Sequence, residues 1–239
     1  MDEALRKKIE LFVASTNKID GENSVIFGSA AKQKVDVIST RSLKIDQALG
    51  IGGIPKGRVT EIYGAESSAK SSLALHTVAE CQSLGGAALY IDAENALDPG
   101  YAKNLGVKLE EITFAQPESA EKSLSMAKNG LTCGAFDIVI IDSIASLVPR
   151  AVLEGDIGDA NVASLARLMS RSMSQLKSAA MRTNTALICI NQIRSKIGGY
   201  GDPTTTSGGV ALRFYSDIRV QMTRATLNKS GEEVLFRVA

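Results

Sequence analysis

The chain has 239 residues, enough for one large α/β domain with a small appendage and a sizeable buried core. Hydrophobic residues make up 44% and charged residues 22%, the balance of an ordinary soluble globular fold. Lys and Arg number 27 against 26 Asp and Glu, a net charge of +1, so binding of nucleic acid would need a local basic patch.

Ala4, Leu5, Ile9, Phe12 and Val13 put an apolar stripe on a helix over residues 2–15. A polar linker, Thr16 to Asn23, and a short apolar strand, Val25-Ile26-Phe27, follow. Such a helix cannot bury its own face; it packs on the main domain or on a neighbouring molecule. Val35 to Ile38 predicts a strand, and a short helix then runs to Leu49. Gly50 to Gly57 reads as a structural turn, because it lacks a lysine–hydroxyl pair and no helix follows it. Val59 to Tyr63 is the next strand, and the helix after it stops at Gly85-Gly86. Strands at 87–92, 112–115, 138–142 and 186–190 alternate with helices that start at Asp98-Pro99 and Ser119 and one that spans Ala160 to Met181. Near-continuous apolar strands between helices indicate a mostly parallel sheet covered on both faces. Asp217 to Thr223 and Glu233 to Val238, joined by Asn228-Lys229-Ser230-Gly231, predict antiparallel strands at the sheet edge. The chain stops at Ala239 just after a strand, the expectation for a partial chain.

Cys81, Cys133 and Cys189 lie far apart in apolar surroundings without C-x-x-C spacing, and read as buried, reduced thiols of a cytoplasmic protein. Neither a signal peptide nor a membrane span is expected: Met1 to Lys8 is mixed in charge, and no apolar run approaches about 18 residues.

Gly64-Ala65-Glu66-Ser67-Ser68-Ala69-Lys70-Ser71-Ser72 stands between a strand and a helix. That is the layout of a phosphate-binding loop, where helix-start amides and the helix dipole attract polyphosphate. Lys70 is expected on the outer phosphates and Ser71 on Mg²⁺, with Glu66, Ser67, Ser68, Ala69 and Ser72 completing the nucleotide loop. Ala69 replaces the second glycine of G-x-x-x-x-G-K-[ST].

Ligands of parallel sheets sit at strand carboxyl ends, and three more such ends carry polar groups. Glu94, just past Asp92, is placed to polarise a water as general base. Asp142 suits a Mg²⁺ ligand acting through water, and Asn191-Gln192 suits a sensor of the terminal phosphate. A single carboxylate at a strand end is often only a cap or a surface residue; four loaded ends in order point to nucleotide chemistry. Two loops follow on the same side, Pro149 to Asp159 and Arg194 to Gly209. The second is rich in glycine and hydroxyls and basic at its start, which suits a nucleic-acid backbone. Arg167, Arg171 and Arg182 add a basic stripe on the preceding helix. An ordinary surface loop beside a solvated helix face is the plain alternative.

The runs Ile38 to Leu43, Val59 to Ser72, Tyr90 to Pro99, Ile141 to Ala145, Glu154 to Asp159 and Ile190 to Gly198 resemble, in order and over nearly the whole chain, the bacterial RecA recombinase family. The resemblance implies a RecA-like P-loop NTPase core at residues 33–239. Its central sheet is mostly parallel and flanked by helices, with antiparallel edge strands near the C-terminus. A helix-and-strand oligomerisation segment at residues 1–32 precedes it. It further implies an ATP- and Mg²⁺-dependent filament on single-stranded DNA that exchanges strands with double-stranded DNA, serves DNA repair and co-activates self-cleavage of a LexA-like repressor in the SOS response. Catalytic roles fall on Lys70, on Glu94 as base and on Gln192 as switch, with Asp142 the second acidic site. Asp98 and Tyr101 would flank the adenine, Tyr101 stacking on it. DNA contacts are implied for Arg167, Arg194, Lys196, Ile197, Gly198, Gly208 and Gly209, Ile197 wedging between base triplets. Phe27, Arg213 and Phe214 are implied at the filament interface.

Ala69, Asn95 and Ser174 depart from the family's glycine, histidine and basic residue, and the second DNA loop is one residue shorter with Tyr200 its only aromatic. Alanine tolerates helical dihedrals, so a modest effect of Ala69 is expected. The family's lysines that reach a neighbour's ATP, and its C-terminal DNA-gathering domain, would fall beyond Ala239, an expectation of poor hydrolysis by this chain. Two other readings stay open: a non-catalytic nucleotide-binding filament or scaffold protein, and a related ring-forming RecA-fold ATPase.

Overall fold

The computed structural model describes residues 1–21, 24–28, 35–156, 164–195, 204–223 and 236–238. The chain divides into two compact units, Met1–Val35 and Asp36–Ala239.

The first unit is one helix, α1 (Glu3–Asp20), with a short tail. Asp2 caps it by accepting from the Ala4 amide, and Gly21, at φ 102°, ends it. Thr16 to Asp20, expected as linker, instead continues the helix. The strand expected at residues 25–27 is not formed. Asn17 explains why: its carboxamide donates to the Val25 carbonyl at 2.9 Å and accepts from the Val25 amide at 2.8 Å. Those are the groups a strand would have paired. No residue of α1 is buried, and Leu5, Leu11, Phe12 and Ile19 are exposed.

In the second unit, β1 (Val37–Ile38) and β2 (Ile54–Pro55) form a small antiparallel pair around α2 (Leu43–Leu49). Then come β3 (Val59–Gly64), α3 (Lys70–Ser83), β4 (Ala88–Asp92), α4 (Pro99–Asn104), β5 (Ile112–Ala115), α5 (Ala120–Cys133) and β6 (Ile138–Asp142). A single turn of 3-10 helix, Ile144–Ser146, follows β6, and a short helix, α6 (Arg150–Leu153), occupies the start of the expected loop Pro149 to Asp159. The chain continues with α7 (Ser164–Thr183), β7 (Ala186–Ser195), β8 (Thr204–Thr206), α8 (Ala211–Tyr215), β9 (Ile218–Met222) and β10 (Phe236–Val238). The three threonines of β8 are β-branched and pair antiparallel with the extended end of β7, so part of the expected 194–209 loop is ladder.

The main sheet runs β10-β9-β3-β7-β6-β4-β5. The six strands from β9 to β5 are parallel, and β10 pairs antiparallel with β9. Of the expected terminal pair, then, β9 itself joins β3 in parallel. It starts level with β3 because the Asp217 amide donates to the Val59 carbonyl at 2.8 Å and the Asp217 carboxylate accepts from the Val59 amide at 3.0 Å.

Strand residues alternate between two cores. Ile138 and Ile140 pack with Leu73, Leu75 and Val78 of α3, while Val139 and Ile141 pack with Leu124 and Leu131 of α5 and Met169, Met173 and Leu176 of α7. With helices on both faces, the strands need no polar alternation. Cys81 and Cys189 are buried as expected, but Cys133 is exposed, since it closes α5 beyond that helix's buried stripe. Burial pushes the Cys81 thiol up to about 12, with the Asp137 charge adding to the rise.

Register builds the site. β3 against β7 pairs Gly64 with Gln192, and β4 against β6 pairs Asp92 with Asp142. The chemically loaded strand ends therefore stand together at the carboxyl edge.

Candidate functional site

Gly64 turns the chain from β3 into the loop. A Cβ there would lie 2.2 Å from the Met222 carbonyl oxygen and 2.7 Å from Ser68 Oγ, so only glycine fits. Ser67 at φ 54° and Ala69 at φ 64° both take the left-handed conformation. The helical dihedrals expected for Ala69 are thus corrected: it is the N-cap of α3, in a region that costs a residue with a Cβ about 1–2 kcal/mol. Lys70 opens α3 and is buried, its Nζ donating back across the loop to the Ala65 carbonyl at 2.7 Å. Ser68 Oγ donates to the same oxygen at 2.8 Å.

The loop from Glu66 to Ser72 lines a cavity of about 380 Å³ together with Glu94, Tyr101, Asp142 and Gln192. Asp142 is buried at the end of β6, hydrogen-bonded by Ser71 and by Tyr90 Oη at 2.6 Å. Burial raises the Asp142 pKa; the Glu94 and Asp92 charges add to this, and the two hydrogen bonds offset it only in part. Burial, then the Asp142 charge, holds the Tyr90 hydroxyl well above its ordinary value, so it stays a donor.

Glu94 is exposed at the cavity rim. Its Oε1 accepts from Gln192 Nε2 at 2.9 Å, from Ser143 Oγ at 2.5 Å and from Ser146 Oγ at 3.0 Å. Asp92 has a different part. It accepts from the Ala96 and Leu97 amides at 3.3 and 3.2 Å and so shapes the turn that carries Glu94. Asp98 caps α4, with Oδ1 accepting from the Gly100 and Tyr101 amides at 2.7 and 3.1 Å. Tyr101 Oη lies 2.7 Å from Ser72 Oγ, which ties α4 to the start of α3.

Other expected residues lie apart from this cavity. Arg167 is exposed on α7, and Arg194 pairs with Thr205 where β7 meets β8. Lys196, Ile197 and Gly198 are outside the described residues. Gly208 and Gly209 have φ of 80° and 76° and pack closely, a Cβ on Gly209 falling 2.8 Å from Ala166 Cβ. Phe27 is half-buried in the first unit, and Arg213 and Phe214 are exposed on α8.

Sequence reasoning missed Tyr90, Ser143, Ser146 and a network beneath the site. Glu61, fully buried in β3, accepts from Arg219 Nε at 2.5 Å and from Asn191 Nδ2 at 3.0 Å. Asn191 also donates to the Ser207 carbonyl at 3.1 Å, and the Arg219 guanidinium rests 4.3 Å from the Tyr63 ring centroid. Tyr90 and Glu61 carried a signal, a polar group inside an apolar strand. Ser143 and Ser146 carried none.

The Ser71 hydroxyl and the Asp142 carboxylate are hard oxygen donors that suit Mg²⁺, which keeps water and substrate phosphates among its ligands and needs few from protein. Among the described residues no cluster of three His, Cys, Asp or Glu could hold a metal unaided. The cavity volume is that of a small-ligand site. These residues fit a magnesium–nucleoside triphosphate.

A family model for the RecA N-terminal domain matches residues 7–238. The chain belongs to the RecA family. Protein RecA of Aquifex aeolicus (strain VF5) is 48% identical over 236 residues, 98% of this chain and 68% of that protein. Protein RecA of Limosilactobacillus reuteri (strain DSM 20016) is 48% identical over 237 residues, 98% of this chain and 66% of that protein. For Protein RecA of Helicobacter pylori (strain HPAG1) the figures are 46% over 236 residues, 98% and 68%. Membership of the RecA family supports a function in DNA recombination and repair. Among the described residues no helix is long and apolar enough to cross a membrane.

Proposed function

We propose that this chain binds ATP with Mg²⁺ and hydrolyses it in response to single-stranded DNA, on which copies assemble into a filament that exchanges strands with double-stranded DNA. The observation that carries this reading is the 2.9 Å bond from Gln192 to Glu94, which joins the cavity to the strand leading into the 194–209 loop. Lys70 binds the outer phosphates by exchanging its bond to the Ala65 carbonyl, and Ser71 and Asp142 hold Mg²⁺. Bound ATP supplies a phosphoanhydride whose cleavage releases free energy, and Mg²⁺ neutralises its charge. Glu94 orients a water and takes its proton. Gln192 exchanges Glu94 for the terminal phosphate and passes that change along β7 to Arg194, Lys196, Ile197 and Gly198. These residues, with Arg167, Gly208 and Gly209, contact DNA. Asp98 and Tyr101 flank the adenine. Residues 1–32 with Phe27, and Arg213 and Phe214, form the filament contact. A LexA-like repressor is the further partner in this cytoplasmic scheme.

ATP turnover with and without single-stranded DNA tests it. Lys70→Ala and Glu94→Gln each lower the DNA-stimulated rate by about 100-fold or more, with filaments seen by electron microscopy only when ATP and DNA are both present. Turnover indifferent to DNA and to both substitutions sinks the reading. The left-handed backbone of Ala69 favours a second one, nucleotide held as a structural ligand. Tight ATP binding without phosphate release in the same assay selects that alternative.

A further inference from the structure

Among the described residues, three hydrogen bonds reach the Glu94 carboxylate, and all three fall on one oxygen. Ser143, Ser146 and Gln192 converge on Oε1 from two other strand ends. A carboxylate oxygen offers two in-plane lone pairs, so three donors saturate it. Among the described residues no hydrogen bond reaches Oε2, which leaves that oxygen to face a reacting water.

The three donors are not equivalent. Ser143 is fully buried and fixed, whereas Gln192 has a second partner in the function proposed above. When its carboxamide turns to the terminal phosphate, Oε1 loses that donor. Only the serines then hold Glu94. Ser146 sits half-buried on the single turn Ile144–Ser146, with its Oγ 3.2 Å from Ser143 Oγ. Each serine carries one hydroxyl proton. Ser146 therefore either donates to Glu94 directly or donates to Ser143, which donates to Glu94.

We propose that Ser146, acting with Ser143, is a positioning residue for Glu94: it fixes which carboxylate oxygen faces the water and holds the carboxylate when Gln192 lets go. This rests on the reading of Glu94 as general base. Its weight is that of one hydrogen bond to a charged group made at the reacting geometry.

Steady-state ATP turnover on single-stranded DNA, measured on the whole chain, tests the proposal with Ser146→Ala, Ser146→Thr and both changes in a Glu94→Gln background. Ser146→Ala is expected to lower kcat about tenfold while KM for ATP stays within about twofold. Ser146→Thr, which keeps the hydroxyl, recovers most of the rate. In the Glu94→Gln background, Ser146→Ala adds no further loss, because the group it acts through is gone. An unchanged kcat in Ser146→Ala, a loss confined to KM, a failed threonine rescue, or an undiminished loss beside Glu94→Gln each overturns it. A wild-type chain with no Lys70-dependent turnover overturns the reading of Glu94 and this proposal together. Normal wild-type turnover with an indifferent Ser146 overturns this proposal alone.

Discussion

The two ends of the parallel strands use polar groups in opposite ways. At the amino ends they close on one another. Lys56 donates to Asp137 at 2.7 Å, and the other Asp137 oxygen takes the Ala87 amide at 3.0 Å. Lys177 donates to Asp217 at 2.7 Å, whose other oxygen takes the Val59 amide, and Thr185 Oγ1 donates to the Phe136 carbonyl at 2.8 Å. At the carboxyl ends Lys70 rests on a loop carbonyl, and Glu94 shares one oxygen among three side chains. Those bonds can be traded for a ligand's without breaking the sheet. One end holds the frame, and the other is left exchangeable.

Breaking the network under the exchangeable end has the largest expected effect on stability. Arg219→Ala leaves the Glu61 carboxylate buried without its cation, a loss of about 3–5 kcal/mol. A thermal melt should fall on the order of 10 °C; a drop of only about a degree shows that Glu61 does not depend on Arg219.

Asp142 works the other way. Its folded pKa is raised, so its ionisation disfavours the fold. That penalty is absent below the unfolded value of about 3.9 and grows as pH rises through the folded one. Asp142→Asn should therefore raise the melting temperature more at pH 7 than at pH 3, while slowing turnover. Equal shifts at both pH values contradict this.

Ala69→Gly removes the left-handed penalty, partly offset by the greater freedom of glycine in the unfolded chain. The expected gain is about 1 kcal/mol, or about 2–4 °C by calorimetry. A lower melting temperature refutes the strain account.

Smallest is the effect at the closed end. Burial raises the Asp137 pKa, but the Lys56 hydrogen bond, the Ala87 amide and the Lys56 charge outweigh it and leave it lowered. The pair's stabilisation is present above about pH 4 and is lost as pH falls through the folded value. Lys56→Ala is expected to cause a small destabilisation in denaturant titrations at pH 7, which fades as pH falls below about 4. A loss independent of pH assigns Lys56 a packing role instead.

Much of this is legible locally. Apolar runs mark the strands, Asp98-Pro99 and Ser119 mark helix starts, and Lys70-Ser71 behind a strand marks the loop, because each depends on neighbours a few residues away. Short elements escape notice. The helices α6 and α8 and the strand β8 are too brief for a period to show. The end of α1 is misread because Thr16 to Asp20 holds a single apolar residue, Ile19, among polar ones, although nothing in it breaks a helix. The exposure of Cys133 depends on which face of α5 its last turn presents.

The sequence by itself determined the class of fold, the phosphate loop and the four loaded strand ends. Tertiary structure alone decided that Gly64 stands beside Gln192 and Asp92 beside Asp142, that Glu94 is gripped by one oxygen, and that Ala69 is left-handed. The physical reason is separation along the chain. Ser143 and Gln192 lie 49 and 98 residues from Glu94, and only sheet register brings them within a hydrogen bond of it.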